Sequence, residues 1–396
     1  MKFVFVTPYL DGVPGGLEQD LAQLATQFTG QGDKVAIVTT PYRFPTGMVK
    51  LERPFAFPVP PGTNILRISG RWRSRLRGIQ PSNAPLWLPR LARSVLELCP
   101  DVIIVYNIGW PVSVAASLRH WRRHAIVLYR TAYHPPQEQG KAKPLDPLRR
   151  WVQLGTANLA HRLIALSEFE KQQIRRDGPT PAERICVVYP GVTTYEFTLD
   201  EIRRFQAMYG LAGKCVISHV ARLSAFKGTD RLIRALPQVR QRTGHDVVLL
   251  LVGRNLEEGY LDRLARELGV EAYVRFTGPL PERDLHLAYA ASDVFALPSK
   301  YESFGFVFLE AMAYGVPIVG VRTGGVPELI RPGENGFLLR SADDDRGLQQ
   351  ALERLILDRG LRKEMGERAR HSVQDLFTWE RAAAEFKELV ARMQSA

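Results

Sequence analysis

Two carboxylates and a glycine turn carry the chemistry most legible in this chain. Glu302 and Glu310 bracket the run Glu302-Ser303-Phe304-Gly305-Phe306-Val307-Phe308-Leu309-Glu310, which follows an apolar stretch ending at Leu297-Pro298 and opens a helical pattern. Gly305 lets the backbone approach a ligand, and the free N–H groups at a helix start suit a diphosphate. Glu310 lies eight residues past Glu302, ~12 Å along a helix if both are helical. One carboxylate can then address a sugar while the other accepts from the paired hydroxyls of a ribose. Two acids alone read as readily as a first-turn acid favouring the helix dipole and a solvated neighbour. Phe308, Leu309, Met312 and Ala313, however, make this helix apolar nearly all round and therefore buried, so a carboxylate at 310 needs a partner or a ligand.

The elements that position these residues follow a strand-then-helix rhythm. Phe3–Thr7, Val35–Thr39, Val102–Tyr106, Ile126–Tyr129 and Leu163–Leu166 are short runs rich in Val and Ile, as strands buried on both faces require. A second series restarts with Val216–Val220, Val247–Val252, Tyr273–Phe276, Val294–Leu297 and Ile318–Val321. Helical patterns separate the strands of both series. The expectation is an α/β protein of two facing, doubly wound domains with ligands in the cleft beyond the strand ends. Residues 1–197 form the first domain and 198–377 the second, and 378–396 form a helix packing back across them, with Trp379, Ala382, Phe386 and Leu389 on one face. The stretch from Lys50 to Pro89 reads as a long irregular loop, rich in Pro and Arg and holding Trp72 and Trp87.

Composition limits the function classes. The chain has 396 residues, 45% hydrophobic and 24% charged, which fits two globular domains. No segment reads as a signal peptide or a spanning helix. Three widely spaced cysteines, Cys99, Cys186 and Cys215, suggest a reducing compartment, with no disulfide framework or cysteine metal site. The net charge of +12 is concentrated in residues 1–197, which hold 25 basic against 14 acidic side chains. A basic half calls for an acidic partner: phosphate groups, an anionic membrane surface or nucleic acid. Nucleic acid is the weakest of these, since no recognised binding module is visible and the basic residues lack an aromatic stacking pattern.

The run Glu302-Ser-Phe-Gly-Phe-Val-Phe-Leu-Glu-Ala-Met-Ala-Tyr-Gly-Val-Pro-Ile-Val319 resembles the core of the large retaining group 1 glycosyltransferases (family 4) of GT-B fold. The resemblance is strong over residues 215–340 and looser before them. It implies two Rossmann-like domains, with a nucleotide sugar held mainly by the second. His219 to Gly228 resembles the segment whose arginine and lysine, here Arg222 and Lys227, clamp the donor diphosphate. Two such cations can neutralise a departing nucleoside diphosphate without a metal. Leu251-Val252-Gly253 and Phe276 to Leu280 resemble the strand ends that hold base and ribose. Gly324 to Glu328 and Asn335 to Leu338 resemble further family segments and read as turns. Gly15-Gly16 resembles the glycine loop that approaches the donor, and His134 stands where the family has a histidine facing the reacting sugar, though without the aspartate that often follows it.

The resemblance thus implies a retaining, metal-independent hexosyltransferase. Its catalytic residues are His134, Glu302, Arg222 and Lys227; its donor-binding residues are Gly15, Gly16, Gly253, Leu280, Phe304, Gly305, Phe306, Val307 and Glu310. The donor is a UDP- or GDP-sugar and no cofactor is needed. Ser167 and Glu170 read as a helix-capping box, and Asp343-Asp344-Asp345 as the acidic start of a helix rather than a metal site. The acceptor is a glycan or a lipid-linked precursor. Arg67, Arg71, Arg73, Arg75 and Arg77 either rest on an anionic membrane, which places the protein at the inner face of a cytoplasmic membrane, or border a soluble phosphorylated acceptor. A sugar-nucleotide epimerase or a phosphorylase of the same fold is the alternative, though no cofactor lysine of the phosphorylase kind is identifiable.

Overall fold

The computed structural model describes residues 1–7, 16–39, 59–68, 88–106, 125–131, 151, 154–155, 157–257 and 259–395. The chain divides into two compact units, Met1–Gly191 with Trp379–Ala396, and Val192–Thr378.

The first unit is built on β1 (Lys2–Val6), β2 (Lys34–Thr39), β3 (Asn64–Arg67), β4 (Val102–Tyr106), β5 (Ile126–Arg130), β6 (Arg162–Ala165) and β7 (Ile185–Val187). They form one sheet in the order β3-β2-β1-β4-β5-β6-β7, parallel throughout. The central β4 and β5 are wholly buried, as Val-Ile-Ile-Val-Tyr and Ile-Val-Leu-Tyr-Arg allow. Among the described residues its helices are α1 (Gly16–Gly30), α2 (Leu88–Glu97), α3 (Glu168–Asp177) and the helix Trp379–Gln394. In α1, Leu21, Leu24, Ala25 and Phe28 fall on one face at helical spacing and bury against the sheet, with Phe28 stacked on Phe3 at 4.1 Å. The helix Trp379–Gln394 adds Trp379, Ala382, Phe386 and Val390 to the same core. Ser167 caps α3 by accepting from the Glu170 amide, while the Glu170 carboxylate accepts from Leu166 N–H at 2.6 Å.

A fully buried ion pair ties this unit together. Arg130, the last residue of β5, donates to both oxygens of Asp20 on α1, at 2.7 and 3.1 Å, and Tyr106 donates to Asp20 at 2.7 Å. Arg130 also donates to the Val188 carbonyl at 2.6 Å, and its guanidinium lies 5.5 Å from the Phe386 ring. Burial alone disfavours this charge, but the Asp20 carboxylate outweighs it and raises the Arg130 pKa.

The second unit has β8 (Cys215–Val220), β9 (Val247–Val252), β10 (Val274–Gly278), β11 (Val294–Leu297), β12 (Ile318–Val321) and β13 (Gly336–Leu339). These also run parallel, in the order β10-β9-β8-β11-β12-β13. Its helices are α4 (Leu199–Met208), α5 (Thr229–Thr243), α6 (Tyr260–Glu267), α7 (Glu282–Ala290), α8 (Phe306–Ala313), the single turn α9 (Val326–Leu329), α10 (Asp345–Leu357) and α11 (Arg359–Leu376); Trp379–Gln394 is then α12. In each sheet the strand order reverses once, between β1 and β4 and between β8 and β11. Crevices beyond the carboxyl ends of strands at such switch points are where open α/β sheets bind ligands.

Several sequence expectations need correction. Residues 192–197, assigned above to the first domain, lie in the second unit, where Val192 N–H bonds the Phe377 carbonyl at 3.0 Å and Tyr195 N–H bonds the Tyr314 hydroxyl at 2.8 Å. Arg67 closes the edge strand β3 instead of lying in an irregular loop; Arg71, Trp72, Arg73, Arg75, Arg77 and Trp87 fall outside the described residues. The segment Gly336–Leu339, expected as a turn, is the edge strand β13. Cys186 and Cys215 are half-buried, and burial pushes the Cys215 thiol up to about 12.

Candidate active site

The β8 and β11 ends converge on one constellation. After β8 the chain runs through Arg222 into a single 3-10 turn, Ala225–Lys227, and on into α5. After β11 it runs through Pro298 to Glu302 and then enters α8. The two loops are joined directly: Lys300 N–H bonds the Phe226 carbonyl at 2.9 Å, and Lys227 Nζ donates to Glu302 Oε1 at 2.5 Å. The lysine and glutamate side chains are 17% and 14% exposed, so the pair is reachable yet largely desolvated. Gly228, at φ 73°, permits this approach, because a Cβ there would lie 2.3 Å from the Pro298 carbonyl oxygen.

Arg222 is exposed, and among the described residues no carboxylate pairs with it. Its neighbours are fixed from the β9 side: Leu223 N–H bonds the Arg254 carbonyl at 2.9 Å, and Ala225 N–H bonds Glu257 at 2.8 Å. Gly253, at φ 128°, packs its bare Cα against this loop, since a Cβ would fall 1.9 Å from the Ala221 oxygen. That contact explains its glycine without invoking a ligand. Leu280 is half-buried between β10 and α7.

Gly305 caps α8 in the left-handed region, at φ 96° and ψ 57°, which disfavours any residue with a side chain. Phe304 before it is 2% exposed and packs on Phe306 and Phe377, anchoring the turn. The Phe306 and Val307 amides begin the helix, where geometry gives them no intrahelical acceptor. Glu302 is held from behind by a glycine pair: Gly325 N–H donates to the Glu302 carbonyl at 3.2 Å and to that of Ser303 at 3.0 Å. A Cβ on Gly324 would fall 1.5 Å from the Glu302 oxygen. Gly324-Gly325, read from sequence as a turn, is therefore also the support of the loop that carries Glu302.

Glu310 sits on the second turn of α8, 8% exposed. Burial raises its pKa, and the Tyr289 hydroxyl, donating to Oε2 at 2.6 Å, works against that rise. Tyr289 belongs to an aromatic cluster with His286 and Tyr314, in which His286 Nδ1 lies 3.0 Å from the Tyr314 hydroxyl. Desolvation lowers the His286 pKa to about 4 and keeps the ring neutral.

Arg222, Lys227, Gly305, Phe306, Val307, Glu302 and Glu310 thus lie on the two loops and the one helix that adjoin the β8/β11 switch. Gly253 and Leu280 follow the ends of β9 and β10. Gly16 opens α1 in the first unit, beyond the end of β1; Gly15 and His134 lie outside the described residues. The Asp343-Asp344-Asp345 run is occupied structurally: Asp344 caps α10, and Arg231 engages Asp343 and Asp345. Sequence reasoning assigned no role to His219, Thr229 or Tyr289. The isolated His in the apolar Val216-Ile-Ser-His-Val220 was a legible signal, whereas Tyr289 has none beyond helical spacing.

Comparison with known proteins agrees with this geometry. Residues 204–372 match the family model described as glycosyl transferases group 1, and residues 14–196 match glycosyltransferase family 4. The chain is 36% identical over 216 residues to a GDP-mannose-dependent alpha-(1-6)-phosphatidylinositol monomannoside mannosyltransferase of Mycolicibacterium smegmatis, a match spanning 52% of this chain and only 56% of that relative. It is 28% identical over 410 residues to a D-inositol 3-phosphate glycosyltransferase of Corynebacterium jeikeium, covering 97% and 93%. Among solved structures, Anabaena Alr3699/HepE in complex with UDP and glucose superposes with a TM-score of 0.78 at 23% identity, covering 99% of this chain and all of that one. That likeness establishes the fold as GT-B. With both family models matched, the chain belongs to the group 1 glycosyltransferases.

Proposed function

We propose that this protein transfers a hexose from a UDP- or GDP-sugar to an acceptor hydroxyl with retention of the anomeric configuration and without a metal. The observation carrying this reading is the Lys227–Glu302 pair, set beside the α8 N-terminus at the β8/β11 switch. A donor diphosphate at that point meets the Arg222 and Lys227 cations and the Phe306 and Val307 amides, all suited to the charge that develops on departure. Lys227 turning to a phosphate releases Glu302 to accept from sugar hydroxyls. Glu310, with Oε2 held by Tyr289, offers Oε1 to a ribose hydroxyl. By the family resemblance alone, His134 and Gly15-Gly16 are also assigned to the donor sugar; His134 and Gly15 lie outside the described residues.

In the step proposed, the bond from the anomeric carbon to the diphosphate oxygen breaks while the acceptor oxygen bonds that carbon on the same face. The acceptor proton passes to the departing diphosphate, so no protein nucleophile is required. Arg222, Lys227 and the helix start hold the two negative charges through the step. The experiment is a thermal-shift and calorimetric screen of nucleoside diphosphates and their sugars, then product analysis by NMR. Absence of a shift with both UDP and GDP would sink the donor reading, and an inverted anomeric linkage would sink retention. Glu310→Ala should weaken nucleotide binding; unchanged affinity removes it from the ribose role.

For the acceptor, the basic first half favours an anionic group. The two relatives above are described as acting on a phosphatidylinositol mannoside and on inositol 3-phosphate, which supports a phosphorylated acceptor, lipid-linked or soluble. Among the described residues no helix is long and apolar enough to cross a membrane. We assign membrane contact to the Arg67–Arg77 region of the sequence, where each basic side chain adds about 1 kcal/mol near an anionic surface. Co-sedimentation with phosphatidylserine vesicles at low and high salt tests this, and no binding at low salt excludes it.

A further inference from the structure

The residue beneath the Lys227 turn is a fully buried histidine outside the constellation described above. His219, on β8, is 0% exposed, with Nδ1 2.9 Å from the Ala296 carbonyl oxygen of β11 and Nε2 3.0 Å from Oγ1 of Thr229, the first residue of α5. A carbonyl can only accept, so Nδ1 carries the proton and Nε2 accepts from the Thr229 hydroxyl. Burial pulls the His219 pKa down to about 4, with the Lys227 charge adding to this, so the ring stays neutral and the tautomer is fixed. The Thr229 oxygen in turn accepts from Ser224 N–H at 3.1 Å. Ser224 precedes the turn Ala225–Lys227. Hydrogen bonds therefore run in one direction from Ser224 through Thr229 and His219 to the β11 backbone, joining the floor of the switch point to the turn that bears the lysine.

We propose that His219 and Thr229 are the positioning residues of the donor-phosphate loop, setting where Lys227 stands relative to the α8 N-terminus. This rests on the donor-site reading above. The two strands that flank the switch are bridged by His219 itself, so the position of the loop is referred to β8 and β11 together. Both side chains are 0% exposed, so neither is presented to the donor. Both act through the Ser224–Lys227 backbone, and their loss should be felt by the diphosphate alone.

The test uses Thr229→Val, which keeps the side-chain shape and removes the hydroxyl, in the full chain. Affinity for the preferred nucleoside diphosphate should fall on the order of tenfold, as loss of a buried hydrogen-bond relay implies. Affinity for the corresponding nucleoside, read by ligand-observed NMR, should not change, and Thr229→Ser should restore diphosphate binding. In a Lys227→Met background the Thr229→Val change should have no further effect, because the cation it positions is gone. The inference is overturned if Thr229→Val binds the diphosphate like the unmodified chain, if nucleoside and diphosphate weaken equally, or if the two substitutions are additive. If the unmodified chain binds neither UDP nor GDP, the donor-site reading fails first and this inference goes with it.

Discussion

Replacing Tyr289 by phenylalanine removes one oxygen atom from the back of the site and nothing from its surface. Tyr289 is 0% exposed and its hydroxyl donates to Glu310, itself only 8% exposed, at 2.6 Å. Burial already raises the Glu310 pKa, and the tyrosine is the group that counters it. A hydrogen bond to an ionised partner is worth about 1.5–3 kcal/mol, and the carboxylate that loses it is largely buried. For a unit of this size that amounts to a Tm lowered by about 3–10 °C. The second effect is on ligand binding. The Glu310 carboxyl titrates higher in the variant, so nucleoside diphosphate affinity should start to fall at a higher pH as the solution is acidified. Isothermal titration from pH 8 to pH 5, with calorimetric melting alongside, measures both. Superimposable affinity curves for Tyr289→Phe and the unmodified chain would refute the claim that Tyr289 keeps Glu310 ionised for the ribose.

Other consequences follow from the same geometry. His219 and His286 both have pKa values lowered to about 4 from 6.5, so the unfolded chain binds their protons more readily. Their stabilising contribution is complete above pH 6.5 and is lost as the pH falls towards 4, about 3 kcal/mol each, with the raised Glu310 pKa acting in the opposite sense. Urea midpoints at pH 7, 5.5 and 4.5 should decline; a flat profile contradicts this. Gly324→Ala should lower transferase activity and melting temperature together, because its Cβ would sit 1.5 Å from the Glu302 oxygen. Gly333→Ala, with φ 83° and no atom within 4 Å of its Cβ, is the control and should cost only the backbone strain of about 1 kcal/mol. Arg130→Met leaves the buried Asp20 carboxylate without its cation and held by Tyr106 alone, which should destabilise the first unit by about 3–5 kcal/mol, and adding Asp20→Asn should recover part of that loss in denaturant titrations.

The central strands were legible because their burial is written as uninterrupted Val, Ile and Leu. β3, β7 and β13 were not, and each is a sheet edge. Asn64-Ile-Leu-Arg67 and Ile185-Cys-Val187 are short and half-exposed, so neither composition nor alternation marks them. In the proposed site, the residue types suited to a ligand, Lys227, Glu302 and Gly305, stand out in the sequence by type and spacing. Residues that serve other residues could not. Tyr289 and Thr229 are ordinary helix occupants until a partner from another element is set beside them, and Gly324 looks like any turn glycine until Glu302 closes on it. The domain limit was misplaced for a related reason: Tyr195 and Phe197 were assigned to the first domain, yet their rings pack with His286 and Tyr314, far along the chain.

The helix Trp379–Gln394 has a bearing on how this protein is made. Phe28 and Arg130 leave the ribosome well before the ring that both of them face, Phe386, which follows Arg130 by 256 residues. At translation speeds of roughly 5–20 residues per second, the gap between Arg130 and Phe386 is on the order of tens of seconds. Throughout that interval Val192–Thr378 can emerge and fold to completion from its own contiguous sequence, while α1 still lacks its contact with the helix Trp379–Gln394. The half of the chain synthesised first is therefore the half finished last. Nascent-chain aggregation and chaperone dependence should concentrate on the α1 face for as long as Phe386 is missing.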